Sequence, residues 1–383
     1  MTGLRLLAGG IALVLVLSLA GFGGWMLSLP GATAATPPPI PPGETEAMLA
    51  ALKSHKRARP LVAVIGLNDA TETTDYLMPA GILRRADIAD VVMLATRPGP
   101  VRLYPALAVE PDATVAAFDA AHPEGADYVI VPAMSRDDDP AVSAWLRSPA
   151  GKGARIVGIC AGAKVVAAAG LLDGKRATTH WYYLGDLLEL GPSIDYVADR
   201  RMVSDGGVTT TTGISASMPM ALTLIEAIAG RDRAEAVARE LGLTTWDARH
   251  ASAAFRLTRP FASTVLANRL RVWDREELGI HIEPGMDEVT LALVADAWSR
   301  TYRSRAVVHA AAAGTVETRN GIRIIPDRLA ASWPAEDAMP AFSDRPPAEA
   351  LDLTLAAIAA RYGKPTADMV AMQLEYARPS AAR

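Results

Sequence analysis

A single cysteine, Cys160, stands among 383 residues. That excludes an internal disulfide and any cysteine-rich metal site. Histidine, aspartate and glutamate nowhere cluster at metal-ligand spacings, so neither a metal nor a cofactor is expected. Basic residues form no patch and acidic residues no tail. The formal net charge is −4 with both signs interspersed, and nucleic acid is not an expected partner. Apolar residues, in contrast, make up 50% of the chain. A large core is therefore available, and the length suits two domains.

Residues 6–29 carry no charge. At ~1.5 Å rise per residue, a helix of that length reaches across a bilayer. Its apolar core exceeds the roughly 7–15 residues of a secretory signal, although GATAAT at 31–36 offers small residues for cleavage. Residues 1–30 therefore read as a transmembrane anchor or signal segment, with the membrane as a partner. Arg5 precedes the span, and Glu44 and Glu46 follow it ahead of the basic run Lys53 to Arg59. This bias predicts a single-pass inner-membrane protein whose body lies on the extracytoplasmic side. Residues 31–58, which include ATPPPIPPGE, read as a stiff extended linker.

Beyond residue 59, short apolar runs alternate with helical patterns. Runs at 59–67, 89–96, 127–133 and 154–159 predict strands buried on both faces. Residues 73–85, 113–121 and 140–148 predict the helices between them. The alternation implies an α/β fold with a parallel sheet between helical layers. Ligands of such sheets bind at the C-terminal ends of the strands. There, Gly158-Ile159-Cys160-Ala161-Gly162 follows the strand at 154–159 and leads into KVVAAAGLL. This is strand, sharp turn, helix: the pattern of a nucleophile elbow. A helix starting near Ala161 would aim amide dipoles at the sulfur and favour the thiolate. The Ala161 amide could also stabilise an oxyanion.

The segment GICAGAKVVAAAGLLDGKRATTHW (158–181) resembles the ThiJ/PfpI family of class I glutamine amidotransferase-like proteins. Within that family it is similar to the branch of isonitrile hydratases and of the amidase-like domains of AraC-type regulators. Residues 204–230 and 71–95 look like further family elements, so the resemblance spans 59–250. It implies a flavodoxin-like parallel-sheet sandwich with Cys160 as nucleophile. It also implies an acidic partner from the first helix, often four residues before a proline. Counting back from Pro79 gives Asp75, with Glu72 three residues earlier on a neighbouring part of the same face. His180 falls where the family often has a histidine, which makes it a third catalytic candidate, either paired with the cysteine or set behind it. Thr179 and Trp181 would shape the pocket wall. Relatives carry Pro-Gly-Gly after the third strand; this chain has Pro132-Ala133-Met134, leaving the Ala133 amide as an oxyanion donor of less certain orientation.

Residues 251–383 read as a degenerate α/β partial repeat without the elbow. Residues 290–334 parallel 75–119, and residues 349–378 parallel 220–249. Many relatives form dimers, so an intrachain pseudo-dimer or a homodimer is expected. The function expected from the resemblance is attack by Cys160 on a small electrophilic substrate, of hydratase, amidase or glyoxalase type. The alternative is a noncatalytic ligand- or oxidation-sensing module.

Overall fold

The computed structural model describes residues 2–53, 56–342 and 344–377, with the backbone alone for residues 2–12, 15 and 70. The chain begins with helices α1 (Thr2–Ser28) and α2 (Glu44–Leu52). Next come β1 (Leu61–Gly66), β2 (Asp69–Glu72), α3 (Thr73–Ala86), β3 (Asp90–Ala95), β4 (Val101–Tyr104), β5 (Ala108–Glu110), β6 (Ala113–Thr114) and α4 (Val115–Ala121). After them run β7 (Tyr128–Val131), α5 (Pro140–Gly151), β8 (Arg155–Gly158), α6 (Gly162–Ala168), β9 (Arg176–Ala177) and α7 (Leu184–Leu190). β10 (Asp195–Tyr196), β11 (Met202–Asp205), β12 (Val208–Thr211), α8 (Ser217–Ala229) and α9 (Arg231–Leu241) complete this part. The C-terminal region holds α10 (Arg259–Leu270), β13 (Glu276–His281), α11 (Glu288–Ser299), β14 (Ser304–Ala310), β15 (Val316–Glu317), β16 (Arg323–Ile324), β17 (Arg328–Leu329), α12 (Pro347–Tyr362) and α13 (Lys364–Gln373).

The main sheet has the order β11-β12-β8-β7-β1-β3-β6. Only the β11–β12 pair is antiparallel. The side chains of β1 alternate between two cores. Val62 and Val64 join α3 and α8 on one face, while Ala63 and Ile65 join α5 and α6 on the other. Both faces are covered, so the run is continuously apolar. The result is the expected α/β sandwich, with an additional α/β region at the C-terminus.

That region adds a parallel sheet, β13-β14-β17. A five-stranded sheet, β15-β16-β5-β4-β2, joins it to the first part. Helices α3 and α11 pack face to face so closely that a Cβ on Gly81 would run into the Glu288 side chain.

Two expectations change at the N-terminus. Among the described residues, no helix is long and apolar enough to cross a membrane. The anchor over 1–30, the membrane partnership and the inner-membrane, extracytoplasmic placement are corrected accordingly. The end of α1 docks on protein: Arg259 Nη2 donates to Leu27 O at 2.6 Å and Arg259 N to Pro30 O at 2.8 Å. The part of that expectation resting on the side chains of residues 1–12 lies outside the described residues. Within the segment read as a linker, α2 forms and buries Met48 and Leu52 against α8 and β11.

Candidate functional site

Cys160 sits at the turn between β8 and α6 with φ +57°, a left-handed conformation that a side chain tolerates only when its surroundings enforce it. Three contacts enforce it here. The Cys160 amide donates to Thr211 Oγ1 at 3.1 Å, and its carbonyl accepts from Thr179 Oγ1 at 3.0 Å. The preceding amide, Ile159 N, donates to Val131 O at 2.9 Å. Gly162 lets α6 cross the end of β7: a Cβ there would overlap Val131 O. The thiol is free and 4% exposed.

Two carboxylates face it from the start of α3. Glu72 caps the helix: its Oε2 accepts from Asp75 N at 2.6 Å and from Thr74 Oγ1 at 2.8 Å. Asp75 lies one turn on and is fully buried. Its Oδ2 accepts from Ala133 N at 3.2 Å, and Ser217 Oγ lies 3.5 Å from Oδ1. Pro79 supplies no N–H to the Asp75 carbonyl one turn earlier. The Ala133 amide, expected to serve an oxyanion, orients the acid in this arrangement.

Burial dominates the proton affinities. It raises the Asp75 pKa to about 7, against the pull of the Ala133 amide and of Arg300. Burial and the neighbouring Asp75 and Asp296 carboxylates also raise Glu72. Cys160 is pushed well above an ordinary thiol, first by burial and then by Asp75 and Glu72. The Ala161 amide faces the sulfur and favours the anion, but it is outweighed. Burial and the two carboxylates thus work against the expected thiolate, and α6, spanning only Gly162–Ala168, brings little dipole to offset them.

His180 is committed to backbone. Its Nδ1 accepts from Tyr182 N at 3.1 Å, so Nε2 carries the proton and donates to Gln373 O at 2.9 Å. Burial lowers its pKa. Trp181 Nε1 donates to Met372 O at 2.9 Å. Residues 372–375 form a strap over this loop. Ser215 N donates to Leu374 O at 3.0 Å, the Gly213 amide donates to the Glu375 carboxylate, and His250 Nε2 lies 3.1 Å from Glu375 Oε1. Outside the loop is a cavity lined by Thr179, Trp181, Tyr182, Phe255, Arg256 and Glu375.

Sequence reasoning missed three contributors. Thr211 ends β12, and its hydroxyl holds the elbow. The strap comes from the far end of the chain. Arg300 comes from the C-cap of α11: its Nη2 donates to Glu72 Oε1 at 2.7 Å and its Nε to Asp296 Oδ2 at 2.6 Å. Burial lowers the Arg300 pKa, but Asp296 and Glu72 outweigh it and raise it above the usual guanidinium range. Neither its position nor its neighbours in the sequence hint at this contact. Among the described residues, no group of three or more His, Cys, Asp or Glu side chains could hold a metal ion.

Residues 61–227 match the model of the DJ-1/PfpI family. Over 98 residues, 25% of this chain, the sequence is 42% identical to isonitrile hydratase of Pseudomonas putida and covers 41% of that protein. It is 30% identical to Parkinson disease protein 7 homolog of Danio rerio over 181 residues, 46% of this chain and 93% of that one. HTH-type transcriptional regulator GlxA of Rhizobium meliloti (strain 1021) is 32% identical over 184 residues, 46% of this chain and 54% of the regulator.

Proposed function

We propose, for a chain that belongs to the DJ-1/PfpI family, that Cys160 and Asp75 add water to a small electrophilic substrate. The observation carrying this reading is a buried aspartate whose pKa of about 7 matches neutral pH, beside a thiol held on a strained turn. A group poised near the working pH exchanges protons most effectively. The Asp75 carboxylate takes the thiol proton as sulfur bonds to the substrate carbon, then passes that proton to the substrate. Water attacks the sulfur-bound carbon, the carbon–sulfur bond breaks, and the thiol is restored through Asp75. The sum is one water consumed, with no oxidant or reductant. The hydratase relative supports isonitriles as the first class to test, with R–NC becoming R–NH–CHO through a thioimidate; amides and glyoxals follow. Thr179 and Trp181 line the approach, and His180 holds the loop.

A second reading rests on the same pair. With the thiol sealed and Asp75 half-protonated at neutral pH, a sulfinate formed from Cys160 by peroxide would accept a hydrogen bond from Asp75. The full chain should be assayed against isonitriles, amides and glyoxals, as wild type and as Cys160→Ala and Asp75→Asn. Turnover lost in both variants supports the enzyme; turnover retained in Cys160→Ala rejects it. Absence of turnover, with sulfinic acid accumulating under dilute peroxide, favours the sensor.

A further inference from the structure

A constant displacement of 215 residues relates the two parts of the chain. Leu61 and Glu276 open β1 and β13, Thr73 and Glu288 open α3 and α11, and Ala113 and Arg328 open β6 and β17. Side-chain detail follows the same displacement. Asp112 bonds to the Met93 backbone through both its amide and its carboxylate, and Asp327 does the same at Val308. Leu103 N donates to Leu107 O, and Thr318 N to Ile322 O, each at 2.9 Å.

The two copies meet symmetrically. Val109 pairs with Ile324, its own counterpart, as the central pair of an isologous contact must. The N-cap of each central helix bonds to an arginine near the end of the other: Glu72 with Arg300, and Asp287 with Arg85. Glu72 and Asp287 are counterparts, as are Arg85 and Arg300. Only one of these ion pairs adjoins a thiol. The counterpart of Asp75 is Thr290, and the elbow has no counterpart in the second copy.

We propose that residues 276–329 are a degenerate second copy of residues 61–114, and that Arg300 of this copy is a positioning residue. It holds Glu72 as the anion of the carboxylate pair and leaves the exchangeable proton to Asp75. Glu72 accepts from three donors, Arg300, Asp75 N and Thr74 Oγ1, at 2.6–2.8 Å. Asp75 accepts from two, at 3.2 and 3.5 Å. Burial and the Asp75 and Asp296 carboxylates raise the proton affinity of Glu72; against that, the donor geometry places the negative charge where the donors are closer and more numerous. This inference rests on the roles given above to Cys160 and Asp75. Asp296 and Arg300 face the pair from α11, and Cys160 faces it from the elbow; Glu375 on the strap acts on Cys160, and Tyr183 and His180 on the following loop act with Arg300.

The test is the pH profile of Cys160 alkylation by iodoacetamide in the full chain. It needs no substrate, so it is independent of whether turnover is found. The wild-type rate should show an inflection near the Asp75 pKa of about 7. Arg300→Met should move that inflection upward by roughly one pH unit or more, because a cationic neighbour is lost; Arg300→Lys should largely restore it. Arg85→Met removes the counterpart ion pair and should leave the inflection in place. Should Arg300→Met fail to fold, Glu72→Gln serves instead: the inflection should move downward as one carboxylate is removed. The proposal is overturned if the wild type lacks the inflection, if Arg85→Met shifts it as much as Arg300→Met does, or if Glu72→Gln abolishes it.

Discussion

Asp75→Asn should make the protein more stable at alkaline pH while removing its proton carrier. The reason lies in linkage between proton binding and folding. Burial raises the folded-state pKa of Asp75 from the ordinary 3.8 to about 7. Well below the ordinary value, both states hold the proton and Asp75 contributes nothing to the pH dependence. Between the two values the unfolded chain releases the proton and the folded chain keeps it, so stability falls as pH rises. Above about 7 the loss is complete. With ~1.36 kcal/mol for each tenfold step in proton affinity, the ceiling is about 4 kcal/mol at about pH 8 and about 0.5 kcal/mol at about pH 4. Asparagine keeps the shape and cannot ionise. Urea unfolding of wild type and Asp75→Asn should therefore nearly coincide at the acid end. At the alkaline end the variant should be about 2–4 kcal/mol more stable, allowing for local relaxation. A difference independent of pH, or wild type gaining on the variant as pH rises, would refute the assignment of the buried charge.

Three further outcomes are expected. Thr211→Val removes the acceptor of the Cys160 amide at nearly constant volume; stranding that buried N–H should cost about 1–3 kcal/mol in urea unfolding, and an unchanged midpoint would show that another group takes over. Gly162→Ala drives a methyl into Val131 O and should destabilise by about 3 kcal/mol, at the upper end for overpacking, or prevent soluble expression. Glu375→Gln weakens the strap's charge-assisted bond to Gly213, worth about 1.5–3 kcal/mol. Local opening, and with it the alkylation rate of Cys160, should rise roughly tenfold; an unaltered rate would mean that the thiol is reached by another route.

The strands of the sheet were legible because each is written locally. LVAVIG, DVVMLA, YVIV and RIVG each fall within a continuous apolar run, and such runs suit strands covered on both faces. The elbow was equally legible, since strand, cysteine and Gly162 are contiguous. The placement of Asp75 beside Cys160, 85 positions apart in the sequence, came from resemblance rather than from pattern. What stayed hidden depends on tertiary approach. Arg300 lies 228 residues from Glu72 in a stretch, AWSRTYRSR, that reads as an ordinary polar helix end. Glu375 is one acidic residue near the end of an amphipathic helix. Helix α2 was obscured by the prolines before it. The two buried carboxylates opposite Cys160, which raise its proton affinity, were equally out of sight beside the nearby helix N-terminus.

The antiparallel contact of α3 and α11 has a consequence for how such a site can change. In a pair of identical subunits, every substitution arrives twice, so an arginine improved for chemistry must also serve as adhesive on the other side. In the tandem arrangement proposed above, the two duties would fall to different codons. Arg300 is free to answer to the reaction at Cys160, while Arg85 and Asp287 need only keep the halves together. On the proposed duplication, the copy without the elbow is held chiefly at the few side chains it lends across the axis.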